Sequence, residues 1–333
     1  MDLIYTDDKR EDIGVLTDYS LDLAIGADEN NFECEIPSAL HCCRKDYMLY
    51  VDGTEYGGIV DGIGVDTENN TVTYFGRTWH GILASKVILP RQPDDTSSNV
   101  TIAGTVNAYL IISGDAHDCI AYILERCGIS TLFSVPETAS GINITSYQFD
   151  RYTDAYKGLC KMLDSVGKLL TFKFSDGMII LSVTDKHDYS RTEEFDSDLV
   201  DFDMTKQENK VNHLICLGGG ELENRLVIHL YADAEGNISE TQTLFGLSEY
   251  ATIYDYANVE SADELLKEGK NKLKELHDTD KIDIDFEADD DLYNVGDIVG
   301  AIDNITGISV SAEIVKKIVT IKDGNANISY EVG

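Results

Sequence analysis

Two stretches at opposite ends of this chain repeat the same order of strand, hairpin and strand. The first runs Gly58-Ile59-Val60-Asp61-Gly62-Ile63, then a polar turn, then Val72-Thr73-Tyr74 and Gly76. The second runs Glu313-Ile314-Val315-Lys316-Lys317-Ile318, then Asp323-Gly324, then Ile328-Ser329-Tyr330 and Gly333. One residue separates Tyr74 from its glycine and two separate Tyr330 from its own, so the echo is imperfect. Apolar residues paired at this spacing recur in any β-protein, so chance repetition and a true duplication both stay open. Either way, alternating apolar residues bounded by turn signals commit both ends of the chain to β-structure.

The region from about 22 to 89 continues that pattern. Phe32-Glu33-Cys34-Glu35-Ile36, Met48-Leu49-Tyr50-Val51 and Thr71-Val72-Thr73-Tyr74-Phe75 read as strands. Asp52-Gly53, Asp61-Gly62 and Asn69-Asn70 mark the turns between them. A polar stretch over 90–99 reads as a boundary.

The middle changes period. Asp115 is placed to cap a helix whose Ile120, Ile123, Leu124 and Cys127 share one face, and Gly128 ends it. A second helix over about 154–166 aligns Tyr156, Leu159, Cys160 and Leu163. A hairpin follows, 169–174 and 178–183, turning at Asp176-Gly177.

Beyond about 200 the chain returns to strands at 211–217 and 225–231, around Gly218-Gly219-Gly220. One helix intervenes, opened by Ser261 with Glu264 and lined by Leu265, Leu266, Leu273 and Leu276. The fold class is mainly β with an α+β insert, divided as 1–104, 105–198 and 199–333. Strands within 199–232 have the alternative of completing the first β-unit.

Charge is the extreme property of the composition. Twenty-six basic residues face sixty-one acidic ones, a formal net charge of −35 over 333 residues. Such a surface repels phosphates and anionic membranes, which disfavours specific nucleic-acid binding. No run approaches the ~20 apolar residues of a membrane span, so no membrane insertion by this chain is expected. The acidic start, Met1 to Asp8, lacks an apolar signal core. Seven cysteines without a Cys-x-x-Cys spacing read as reduced thiols, and neighbours Cys42 and Cys43 in a strand would point to opposite faces.

The densest acidic pattern is Ile282-Asp283-Ile284-Asp285-Phe286-Glu287-Ala288-Asp289. Period two would put Asp283, Asp285, Glu287 and Asp289 on one face, about 7 Å apart. A solvated face, an acidic wall of a channel or interface, and a share in a cation site built with neighbouring strands all fit that spacing. Nucleophile-elbow, zincin and phosphate-loop motifs are absent. Gly218-Gly219-Gly220 reads as a tight turn, and His80 beside Trp79 as structural. With so many acids, a close carboxylate pair says nothing about glycoside hydrolysis. No catalytic residue, metal or cofactor is assigned.

The string Gly76-Arg77-Thr78-Trp79-His80-Gly81-Ile82-Leu83 is the most distinctive in the chain. It suits a barrel end, with Arg77 paired to an acid, and a subunit contact is the alternative. Together with Tyr56-Gly57-Gly58-Ile59-Val60 and Val87-Ile88-Leu89-Pro90, it resembles the first domain of tail hub proteins of phages and phage-derived contractile particles. Asn212-His213-Leu214-Ile215 with Gly218 and Arg225 is similar, as is Val295-Gly296-Asp297-Ile298-Val299-Gly300. Gly57, Gly58, Arg77, Trp79, Gly81, Gly296 and Asp297 carry the family-like motif.

This resemblance implies two tube-protein-like β-barrel domains with a small α/β domain, and an architecture shared with the type VI secretion spike. It implies a homotrimer whose six barrels adapt a sixfold tail tube to a threefold spike or tip. The implied partners are other copies of the chain, the tail tube or distal tail protein, the spike or tip protein and the tape measure protein. The implied location is the virion tail, assembled in the host cytoplasm, with DNA passing through unbound. Larger relatives carry a peptidase, lysozyme-like domain or needle after the barrels, and here Gly333 follows a strand directly. A tail-associated cell-wall hydrolase and a surface-carbohydrate-binding module are the alternative functions.

Overall fold

The computed structural model describes residues 1–333 except 192–193, 197–202, 206–209, 258, 260, 278–280, 284, 289–291 and 323. At 191, 194–196, 203–205, 281–283 and 285–288 it describes the backbone alone. The fold is mainly β, with a few helices. Contacts divide it into two compact units, Met1–Phe195 with Ile284–Gly300 and Ser311–Gly333, and Asp196–Asp283 with Ala301–Val310.

The first unit is built on one large sheet. Its neighbours run Ser309–Lys322, Ser20–Gly26, Asn31–Pro37, Thr71–Thr78, Gly57–Asp66, Met48–Tyr50, Leu3–Thr6 and Asp12–Leu16. Asn31–Pro37 shows why: Phe32, Cys34 and Ile36 are buried while Glu33 and Glu35 face out. Pairing sets Cys34 opposite Tyr74 and Ile36 opposite Val72, so one apolar face continues across strands.

The echoing hairpins lie in this same sheet, flanking the central pair Ser20–Gly26 and Asn31–Pro37. Thr71–Thr78, the second strand of its hairpin, pairs with Asn31–Pro37. Ser309–Lys322, the first strand of its hairpin, pairs with Ser20–Gly26. The two copies thus dock through opposite members, and the echo is one of sequence order and not of position in the sheet.

On this sheet rests a core of helices and a smaller hairpin. Asp115 caps Ala116–Arg126, accepting the His117 N–H at 3.0 Å, and Ile120, Ile123 and Leu124 are buried. Asp154 caps Ala155–Asp164 through the Lys157 N–H at 2.8 Å. Lys168–Ser175 and Met178–Asp185 pair across a two-residue turn in which Asp176 and Gly177 have positive φ, 53° and 75°. Trp79, Tyr156, Leu159, Phe172, Phe174 and Leu181 belong to the core these elements share.

The second unit holds a four-stranded sheet ordered Ile238–Ser239, Val227–Ala232, His213–Leu217 and Ala251–Asp255. The helix Ala262–His277 covers one face, and Leu214, Cys216 and Leu230 pack against Leu265 and Leu273. The Ser261 hydroxyl accepts the Glu264 N–H at 3.4 Å, at the expected helix start. The strands at 213–217 and 227–232 pair within this sheet and not with the large one.

Candidate functional site

The motif glycines mark places where backbone and side chains pass too closely for a Cβ. On Gly58 a Cβ would overlap the Arg77 carbonyl oxygen, and on Gly76 the Ile59 carbonyl oxygen. On Gly57 it would stand 2.7 Å from the Trp79 ring, and on Gly81 it would overlap the Asn30 carbonyl oxygen. These positions hold the turn from the strand Thr71–Thr78 into the short helix Trp79–Ala84, which Thr78 caps by accepting the Gly81 N–H at 3.3 Å. The distinctive string therefore ends its strand in a helix. Trp79 is fully buried there, stacked on Phe174 at 5.3 Å.

Arg77 finds its acid through a bulge. Val60 pairs with Gly76 and Gly62 with Phe75, which leaves Asp61 as the extra residue. Its carboxylate accepts from Arg77 Nε and Nη2, both at 2.7 Å. That fork holds the Asp61 carboxyl below the usual carboxylate range.

His80, next to Trp79, opens onto a feature the sequence did not disclose. Lys317 Nζ donates to Glu55 Oε1 at 2.7 Å, and His80 Nε2 lies 3.5 Å from Glu55 Oε2. Lys317 and His80 are each 2 % exposed and the Glu55 side chain 18 %. Burial alone would raise the Glu55 carboxyl, but the Lys317 ammonium and then His80 outweigh it and hold it at about 2. Burial pushes His80 down, only partly opposed by Glu55. The triad is thus an ionised Glu55 against a charged Lys317, with a neutral imidazole beside them. His80 lies tilted against Phe172, ring centroids 3.8 Å apart, and its Nδ1 has no hydrogen-bond partner among the described residues.

A cavity of about 300 Å³ borders the triad, lined among others by Ile25, Tyr156, Cys160, Leu169 and Gly296. Among the described residues no hydrogen bond joins His80 to a hydroxyl or thiol, and Lys317 holds Glu55 ionised as an acceptor. What this geometry does is tie the C-terminal hairpin to the loop after Met48–Tyr50 and to the helix Trp79–Ala84.

Gly296 and Asp297 make a second tie. Asp297 is fully buried; its Oδ1 accepts the His187 N–H at 2.8 Å and its Oδ2 the Asn294 N–H at 2.9 Å. The Ile314 N–H donates to the Asp297 carbonyl and the Gly296 N–H to the Ile314 carbonyl, each at 2.8 Å. Gly296 has a φ of +101° and a Cβ there would press on Leu169, so this position favours glycine twice over.

The acidic stretch is divided. Lys281–Asp283 pairs with Asp203–Thr205, setting Asp283 opposite Asp203. Asp285–Ala288 pairs instead with Asn325–Val332, setting Asp285 opposite Glu331 and Glu287 opposite Ser329. Asp289 lies outside the described residues, as does Ile284. Among the described residues, no group of three or more His, Cys, Asp or Glu is placed to hold a metal, and no helix is long and apolar enough to cross a membrane.

Cys42 and Cys43 depart from expectation. They lie in a loop and not in a strand, and their sulfurs are 3.7 Å apart instead of facing opposite ways. The cause is Tyr74, whose hydroxyl accepts both the Cys42 N–H at 2.9 Å and the Cys43 N–H at 3.1 Å.

No protein-family model matches the sequence, and no curated protein matches it either. Solved structures do match the fold. The 43 kDa tail protein of prophage MuSo2 from Shewanella oneidensis superposes with a TM-score of 0.58 at 14% identity, covering 100% of this chain and 98% of its own. A prophage tail protein from Listeria monocytogenes EGD-e gives 0.53 at 14% identity, with 99% and 94% covered. The tail protein from Neisseria meningitidis MC58 gives 0.51 at 13% identity, with 99% and 95% covered. Over its whole length, this chain has the fold of phage tail proteins, in agreement with the resemblance carried by its sequence strings.

Proposed function

We propose that the chain is a structural hub of a phage tail or phage-derived injection particle. In this reading it forms a homotrimeric, pseudo-sixfold ring that joins the tail tube or distal tail protein to the spike or tip. The ring meets the tape measure protein and lines the central channel, and the protein resides in the virion tail. The observation that carries the reading is the whole-chain likeness to tail proteins, with nearly all of both chains aligned. The sequence echo does not carry it, because its two hairpins occupy non-equivalent places in one sheet. The division 1–104, 105–198 and 199–333 into two tube-like barrels and an insert belongs to the proposal too.

Two further observations support a structural role. The motif residues Gly57, Gly58, Arg77, Trp79, Gly81, Gly296 and Asp297 are engaged in packing and latching. A net charge of −35 gives a ring of such chains a wall that repels passing polyanions. Native mass measurement with negative-stain imaging, alone and with the tail tube protein, tests the hub. A mass of three chains and rings with a central hole are expected. A monomer in both conditions at high concentration overturns it.

A further inference from the structure

We propose that Cys42 and Cys43 form a vicinal disulfide when the folded protein meets a peroxide, making this loop a site of reversible oxidative modification. The inference stands apart from the hub reading.

The geometry is prearranged around Tyr74. Its ring is fully buried on the strand Thr71–Thr78, and its oxygen gathers two successive backbone N–H groups, those of Cys42 and Cys43. His41 Nδ1 lies 3.0 Å from the same hydroxyl, so the phenol proton has an acceptor there. Adjacent residues whose N–H groups converge on one atom cannot alternate as in a strand, and the two side chains are brought to the same side. Hence the sulfurs already touch at 3.7 Å. Reaching a bond of about 2.05 Å asks for an approach of roughly 1.7 Å. Because adjacent Cα atoms lie only about 3.8 Å apart, closer than the usual disulfide span, the loop must adjust and the bridge is strained and readily reduced.

The environments of the two thiols differ in a way that orders the steps. Cys42 is partly exposed, whereas Cys43 is fully buried and burial pushes its thiol up. The Tyr74 hydroxyl lies 4.0 Å from Cys42 Sγ. Cys42 is the sulfur a peroxide can reach. The Cys42 sulfur attacks one peroxide oxygen; the O–O bond breaks, the sulfur loses two electrons, and a sulfenic acid and one water form. The Cys43 sulfur then attacks the sulfenic sulfur. The S–S bond forms, the S–O bond breaks, and the hydroxide leaves with the Cys43 proton as a second water. In sum, two thiols and one hydrogen peroxide give one disulfide and two waters.

The test treats the folded full chain with one equivalent of hydrogen peroxide, then unfolds it in denaturant, blocks the remaining thiols with an alkylating reagent, and digests with trypsin. Residues 11–44 form one peptide carrying Cys34, Cys42 and Cys43. The expected product is lighter by two hydrogens before alkylation, carries one alkyl group on Cys34 alone, and regains all three after dithiothreitol. In Cys43→Ser the expected product is a Cys42 sulfenic acid trapped by a dione reagent; in Cys42→Ser the bridge is lost. Both thiols still alkylated after peroxide, a bridge from Cys34 instead, or over-oxidised Cys42 without a bridge would each overturn the proposal. The wild-type measurement decides even if a variant fails to fold.

Discussion

Lys317 and Glu55, separated by 262 positions in sequence, meet in a buried ion pair of 2.7 Å. A single salt bridge on a surface is worth little, but a buried one behaves differently when only one partner is removed. Lys317→Met leaves a carboxylate buried without its counter-charge, and Glu55→Gln leaves an ammonium in the same position. Each should lower unfolding stability by about 3–5 kcal/mol in denaturant titration. The double variant should lose less than the sum, since no orphan charge remains. Single variants that unfold like the parent would show that the pair is not holding the C-terminal hairpin.

The same triad fixes the direction of acid sensitivity. The Glu55 carboxyl is held at about 2 against an ordinary 4.5. A lowered carboxyl contributes stability that is complete above 4.5 and is lost as pH falls from there toward 2, on the order of 3 kcal/mol. His80 is also lowered, from 6.5, so the unfolded chain takes up its proton first and stability begins to fall as pH drops below 6.5. Denaturant titrations across pH should therefore decline in two stages. Glu55→Gln should shrink the lower stage, leaving the share of other lowered carboxyls such as Asp61, and a flat profile below pH 4.5 in the parent would contradict this account.

Glycine substitutions should separate close approach from mere strand position. Gly64 has room for a Cβ, which would meet Thr73 at 3.8 Å in ordinary van der Waals contact. Gly64→Ala is expected to stay within about 1 kcal/mol of the parent. Gly58→Ala and Gly76→Ala place a methyl on a backbone carbonyl that cannot rotate away. Each should cost more than about 3 kcal/mol or prevent folding, read as a drop in thermal midpoint. Equal effects at all three positions would refute the packing role given to the motif glycines.

The channel-wall idea has its own test. Lysine at both Asp283 and Asp285 should leave circular dichroism and thermal midpoint near those of the parent, while impairing the function of assembled particles. Particles carrying the double variant with full infectivity would remove these two residues from any channel wall.

How much was readable in advance depends on how local each determinant is. The helix caps at Asp115 and Asp154, the Asp176-Gly177 turn and the alternation of Phe32, Cys34 and Ile36 all act over a few residues, and the structure places them as the sequence suggests. Lys317 was hidden by a bulge. Upstream, Val310 and Ile314 face inward on even positions; past the irregularity between Ile314 and Lys316, the inward set is Lys317, Val319 and Ile321. One extra residue reverses every later side chain, and a reader who follows the upstream parity puts Lys317 in water.

The amino-acid order by itself determined the class of fold and the helix starts at Asp115 and Asp154, because propensity, capping and period are properties of neighbouring residues. The tail-protein likeness rested instead on the resemblance of a few strings to a known family. Tertiary structure alone decided that the two echoing hairpins share one sheet, that Glu55, His80 and Lys317 meet, and that Tyr74 turns Cys42 and Cys43 to the same side. Those are contacts between residues tens to hundreds of positions apart, set by strand pairing and bulges that leave no local signature.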